Sequence, residues 1–150
     1  MIRRNMRLRP GWLVAVSAAV LAVSVWLPWL HTAAGGGGHA NAVGGVIGSL
    51  HLPERFGAGQ LIVLLASTLL VAGAMAGRGI SPRWASGAAL AISVCIAALT
   101  AGYYRLHVGH SVAASYGWYL GAVAAAGAVV CSLWAFLDAV RAVRAGRSLR

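Results

Sequence analysis

Histidine is the residue type in this sequence with the clearest potential for chemistry. Five histidines lie in two polar segments between long apolar runs: His31, His39, His51, His107 and His110. His107 and His110 are three positions apart, a spacing that places two side chains on one side of a helical turn. Imidazole is a good ligand for zinc, copper and nickel. We therefore predict a metal or pH-sensing pair at His107 and His110, and a third ligand from His31, His39 or His51 is geometrically conceivable. The alternative is that the histidines are only polar loop residues beside lipid headgroups, because no cysteine or acid completes a known ligand spacing.

The sequence holds little else that could support catalysis. Its two acids, Glu54 and Asp138, are far apart in the chain and do not form the carboxylate pair that general acid–base catalysis uses. No serine-hydrolase, zinc-protease, phosphate-loop or Cys-x-x-Cys motif is present. The long apolar runs contain no histidine for haem and no acid of the kind that ion-coupled transporters keep in the membrane. We predict that the protein is not an enzyme and carries no cofactor.

The composition restricts the protein to one broad class. Of its 150 residues, 60% are apolar and 9% are charged, and the mean hydropathy is +0.80. An average soluble domain has roughly a quarter of its residues charged. Disordered chains are polar and rich in charge, so they are excluded as well. The sequence predicts an integral membrane protein whose first partner is the lipid bilayer.

Four uncharged segments are long enough to cross the roughly 30 Å of hydrocarbon in a bilayer at 1.5 Å per residue. They cover 12–30, 56–76, 84–104 and 116–137. Within lipid each backbone polar group needs a partner inside its own segment, which favours helices. The expected fold class is all-α, an integral membrane four-helix bundle. One domain spans 1–150, with an outer loop at 31–55 and a basic tail at 138–150.

The arginines predict the orientation of the chain. Ten of the twelve lie before the first segment, in the 77–83 loop or in the basic tail, and only Arg55 and Arg105 fall in the other two loops. Because positive residues concentrate on the cytoplasmic side, we expect both termini in the cytoplasm of a multi-pass cell-membrane protein. The net charge of +10 then reflects topology, and we expect no nucleic-acid partner.

The first apolar segment has a second interpretation. Arg3 and Arg4, an apolar run and Thr32-Ala33-Ala34 resemble a cleaved signal peptide. The run is longer than the usual 7–15 residues of such peptides and ends in tryptophans and a proline. We expect the segment to be retained, and cleavage is the alternative.

Small residues recur at the four-residue spacing that lets membrane helices approach closely. Gly73 and Gly77 form one such pair, and Gly117 and Gly121 form another. They predict either packing within one bundle or a seam for self-association or a partner helix. Cys95 and Cys131 are expected at different depths, so we predict no disulfide between them and treat both as small buried residues.

The sequence resembles small four-span membrane proteins of actinobacteria. The resemblance rests on the WLPWL run at Trp26–Leu30, the FGAGQL run at Phe56–Leu61, and the use of Arg in place of Lys in an Ala- and Gly-rich chain. It covers the layout of the whole chain, and it carries over no functional residue.

Three functions are open at this point. The first is a non-catalytic cell-envelope protein that acts through a membrane protein partner or as a homo-oligomer, with 31–55 as the contact surface. The second is an extracytoplasmic metal or pH sensor. The third is a small-solute transporter or channel, whose path would use the polar residues of the apolar segments: Gln60, Ser67, Thr68, Ser86, Ser93 and Thr100.

Overall fold

The protein consists of helices with a small sheet at one end. The structure, a computed structural model, describes residues 9–33, 36–48, 57–109 and 112–147. In chain order the elements are α1 Pro10–Ser24, β1 Pro28–Thr32, β2 Gly38–Asn41, β3 Val46–Gly48, α2 Ala58–Arg78, α3 Pro82–His107, β4 Ala113–Ala114 and α4 Tyr116–Arg147. The chain is therefore mostly helical, as the composition predicts, and the sheet departs from the predicted all-α class.

The four helices pack as an up-and-down bundle in which each helix contacts its neighbours in sequence and α4 closes onto α1. By length and composition, α2, α3 and α4 are each able to cross a membrane. The remaining helix, α1, has only 15 residues. At 1.5 Å per residue it is about 22 Å long, shorter than the hydrocarbon layer.

The predicted first span at 12–30 is wrong over its last third, 25–30, because α1 ends at Ser24. The proline at position 28 fixes its own φ, has no N–H to donate, and disfavours helical geometry in Leu27 before it. The chain turns at Val25–Leu27 and continues as β1. The residues after Ser24 are as apolar as those of a membrane-spanning helix. This is because Trp29 and Leu30 of β1 are buried in the core of the bundle.

The sheet has four antiparallel strands in the order β3-β2-β1-β4. It lies where α1 and α3 end and α2 and α4 begin, which we call the sheet end. Its buried face includes Leu30 and Ala40, which pair across β1 and β2 and join the core of the bundle. Two backbone hydrogen bonds hold the sheet in place. The Ala42 N–H donates to the Val25 carbonyl (3.1 Å), and the Ser115 N–H donates to the Trp29 carbonyl (2.8 Å). The predicted outer loop is thus a folded platform over its described residues.

Glycines bring α1 and α2 unusually close. A Cβ atom added to Gly11 would lie 2.8 Å from the Ala76 carbonyl carbon and 2.9 Å from the Gly73 oxygen, and it would overlap the backbone nitrogen of Gly77. A Cβ on Gly73 would lie 2.8 Å from the Ala15 nitrogen. The Gly73 and Gly77 pair therefore packs within one bundle, which was the first of the two alternatives.

The opposite end of the bundle carries most of the described arginines. We call it the arginine end, and it holds Arg9, Arg78, Arg83, Arg141 and Arg144. Here α4 continues to Arg147, ten residues beyond the predicted span, so the described part of the basic tail is helical. Asp138 and Arg141 form an exposed ion pair at 3.9 Å one turn apart.

The two cysteines are free thiols, consistent with the predicted absence of a disulfide. Their expected burial is wrong for Cys95, which is exposed on the outside of α3, whereas Cys131 is half-buried against the core. The outer faces of the helices would contact lipid in a membrane, so a small apolar thiol is stable there without a polar partner.

Candidate functional site

Trp29 is the residue that joins the sheet to the bundle. Its side chain is fully buried, and its indole Nε1 donates a hydrogen bond of 2.8 Å to the Ser24 carbonyl. The ring lies against Gly117 and Gly121 of α4, where added Cβ atoms would lie 2.9 Å and 2.8 Å from indole carbons. This second glycine pair therefore makes room for a large aromatic ring within the chain. The orientation of the sheet is fixed by these contacts.

An aromatic stack continues from Trp29 along the end of α3. The Tyr103 ring meets Trp29 edge to face with ring centroids 5.2 Å apart, and it stacks on His107 at 4.3 Å. The Nδ1–H of His107 donates to the Tyr103 carbonyl at 3.0 Å, which leaves Nε2 as the nitrogen with the lone pair. The Tyr103 hydroxyl is buried, and among the described residues it has no hydrogen-bond partner. His107 thus has a defined structural role as well as a free ring nitrogen.

The outer face of the sheet carries one row of exposed residues across all four strands. His31 of β1 lies directly opposite His39 of β2, His39 lies opposite Ile47 of β3, and His31 lies opposite Ala113 of β4. Directly opposed residues in antiparallel strands share a face, with Cβ atoms about 4.5–5.5 Å apart. The two imidazoles are therefore neighbours on the outer face.

A groove of about 290 Å³ opens beside this row. It is lined by residues of the turn after α1, of strands β1, β2 and β3, and of the β2–β3 turn: Trp26, Pro28, His39, Asn41, Gly45, Val46 and Ile47. Trp26 and Ile47 remain about two-thirds exposed, at 65% and 66%. Asn41 stabilises the β2–β3 turn, since its side-chain oxygen accepts from the Gly45 N–H at 2.7 Å. The outer face therefore combines an apolar groove with a pair of histidines.

Only one of the two histidines of the predicted metal pair lies within the described residues. His107 lies in the last turn of α3 and is half-buried, while His110 and His51 fall outside the described residues. Over 9–33, 36–48, 57–109 and 112–147, no group of three or more His, Cys, Asp or Glu side chains could hold a metal ion. The pair at His107 and His110 stays a prediction, and the described histidines that do come together are His31 and His39.

The polar residues proposed for a transport path are bonded to nearby backbone carbonyls. The Ser93 hydroxyl donates to the Leu90 carbonyl at 2.9 Å, and the Thr100 hydroxyl donates to the Ile96 carbonyl at 2.9 Å. Ser67 and Thr68 lie on the exposed side of α2. The remaining two, Ser86 and Gln60, donate to backbone carbonyls of Pro82 and Val43. The six side chains therefore do not line one continuous path.

Sequence reasoning missed the histidine pair because it assigned the whole of 31–55, including the glycine run at 35–38, to an outer loop. In the structure Gly36 and Gly37 precede β2 at positive φ values of 94° and 86°, and Gly38 is the first residue of β2. Glycine between two short strand-like runs is a hairpin signal. That signal would have indicated a hairpin between the segments that contain His31 and His39, although not its register.

Comparison with known proteins identified no matching family model, no similar curated protein and no similar solved structure.

Proposed function

We propose that the chain is a non-catalytic, multi-pass protein of the cell membrane that binds a membrane protein partner, or a second copy of itself, through the outer face of its sheet. The observation that supports this function is the sheet itself, held rigidly by Trp29 and open outward through the groove at Trp26 and Ile47. Large apolar side chains left exposed around a concave surface are typical of interaction sites.

Four membrane crossings, with both termini in the cytoplasm, are part of this proposal. The shortness of α1 is compensated because the apolar core continues beyond it through Val25, Trp29 and Leu30, each at most 1% exposed. The arginine end then faces the cytoplasm, in agreement with the positive-inside rule. The actinobacterial cell membrane is the location that the sequence resemblance favours.

Site-specific photo-crosslinking in cells tests the contact surface. A photoreactive amino acid at Ile47 should yield a discrete protein adduct, whose mass identifies either a second copy or a partner. The matched control is the same amino acid at Val123, which is 72% exposed on the outer face of α4 and should react only with lipid. Trp26→Ser should remove the Ile47 adduct. Equal adducts at both positions, or lipid adducts alone at Ile47, would contradict the proposal.

A second candidate function is an extracytoplasmic metal or pH sensor, and the observation that favours it is the His31–His39 register. Two adjacent imidazoles can bind one zinc, copper or nickel ion. Calorimetric titration of the purified full chain with Zn²⁺ tests it. His31→Gln and His39→Gln should each abolish binding, whereas His107→Gln should not. Binding lost only in His107→Gln would instead assign the metal to the pair predicted from the sequence, and no binding would end the candidate.

A further inference from the structure

A groove lies between α3 and α4 at the arginine end, far from the sheet. It has a volume of about 470 Å³ and is lined by Arg83, Trp84, Gly87, Ala88, Phe136 and Val140. This volume falls in the range of about 300–1,000 Å³ common for small-ligand sites. Trp84 is 85% exposed at its rim. The groove is therefore an open, mostly apolar surface on the outside of the bundle.

Gly87 lines the groove and has no side chain to fill it. A Cβ atom added there would lie 3.7 Å from the Phe136 ring, an ordinary contact distance. Close packing of α3 and α4 therefore does not require glycine at this position. By contrast, Gly11 and Gly73 face neighbouring backbone atoms at less than 3.0 Å and leave no space. The absence of a side chain at Gly87 creates space rather than a close approach of helices.

A single positive charge lies at the mouth of this apolar space. The Arg83 side chain is exposed, and over the described residues it has no ion-pair partner. The one described acid at this end, Asp138, already pairs with Arg141. An unpaired guanidinium beside an apolar groove complements a molecule with an anionic head and a hydrocarbon tail. Arginine also binds phosphate oxygens in a two-pronged geometry.

We propose that this groove binds one anionic phospholipid of the cytoplasmic leaflet, with its phosphate at Arg83 and an acyl chain along Gly87 and Phe136. The assignment rests on the proposed membrane location and orientation, which bring Arg83 and Trp84 to the headgroup layer. Basic pockets between membrane helices on the cytoplasmic side recognise anionic headgroups. Tryptophan at the rim is also common at that depth.

Native mass spectrometry of the purified full chain with added lipid tests the site. Wild-type protein should retain one phosphatidylglycerol in preference to phosphatidylcholine by about fivefold, the effect of one arginine near an anionic headgroup. Arg83→Gln should remove this preference. Arg144→Gln, at the same end but outside the groove, should keep it. Gly87→Leu and Val140→Trp fill the groove from opposite walls, and both should lose the bound lipid.

Three results would overturn the lipid site. They are equal retention of the two lipids by wild type, retained lipid in both groove-filling variants, and a wild-type dimer that these variants dissociate, which would assign the groove to a second copy. Membrane fractionation of cells separates this inference from the proposed function. A chain missing from the membrane fraction refutes the proposed location, whereas a membrane-resident chain without the lipid preference refutes only the site.

Discussion

Gly11→Ala is the sharpest test of how α1 joins the bundle. The substitution places a methyl carbon 2.8 Å from the Ala76 carbonyl carbon and 2.9 Å from the Gly73 carbonyl oxygen. Ordinary contacts begin near 3.4 Å, so α1 and α2 must separate locally by at least about 0.6 Å, and by more where the methyl carbon overlaps the Gly77 nitrogen. The atoms met are backbone atoms, and no change of side-chain rotamer can relieve the overlap.

The loss of stability caused by this separation follows from the packing of the α1–α2 contact, which we call the seam. A gap of roughly 0.5–1 Å loses a quarter to a half of the dispersion energy of the facing atoms. Added methyl groups in well-packed interiors typically cost about 1–3 kcal/mol. Contacts of Gly73 with Ala15 and of Gly77 with the Trp12 ring belong to the same seam and would loosen together. We expect the free energy of unfolding to fall by about 1–3 kcal/mol.

Reversible unfolding in mixed micelles of dodecyl sulfate and a mild detergent, followed by far-UV circular dichroism, measures this change. The control is Gly102→Ala in α3, where the added Cβ has no heavy atom within 4 Å. That variant should be unchanged or more stable by up to about 1 kcal/mol, because alanine is the better helix former. If both variants unfold at the same dodecyl sulfate fraction, the close approach of α1 and α2 is wrong.

Three further predictions concern single side chains. Trp29→Ala should lower the free energy of unfolding by about 3–5 kcal/mol in the same assay, since the ring is fully buried. The control is Trp84→Ala, which should lower it by about 0.5 kcal/mol or less because Trp84 is 85% exposed. Asp138→Asn should change stability by no more than about 1 kcal/mol, because the ion pair it removes is exposed, and a larger loss would indicate a further partner. In intact cells a membrane-impermeant maleimide should label Ile47→Cys but should label Arg144→Cys only after lysis. The unsubstituted chain is the control, and the reverse labelling pattern would refute the proposed orientation.

Apolar length was enough to predict the three long helices of the bundle. The segments at 56–76, 84–104 and 116–137 correspond to α2, α3 and α4, with ends that differ by between none and ten residues. The ten-residue difference at α4 arose because the helix continues beyond the apolar run into Asp138 and the arginines that follow it. Hydropathy detects where a helix leaves the apolar region and not where its hydrogen bonding ends.

The candidate site could not be read from hydropathy in the same way. Trp26–Leu30 has the same apolar character in a helix and in a strand buried on one face, and only the proline within it argued for a break. The histidines illustrate the same limit, since spacing along the chain indicated His107 and His110, while pairing between strands brought His31 beside His39.

By itself the sequence indicated a mostly helical chain, the rough positions of its helices, and segments apolar enough to cross a membrane. These properties depend on the free energy of transferring each segment into lipid, which is nearly a sum over its residues. Tertiary structure alone decided which glycines bring helices together, which make room for Trp29 and which leave a groove open. It also decided the register that joins two histidines. The helix contacts join residues distant in the chain, and hydropathy encodes neither these contacts nor the register of the hairpin.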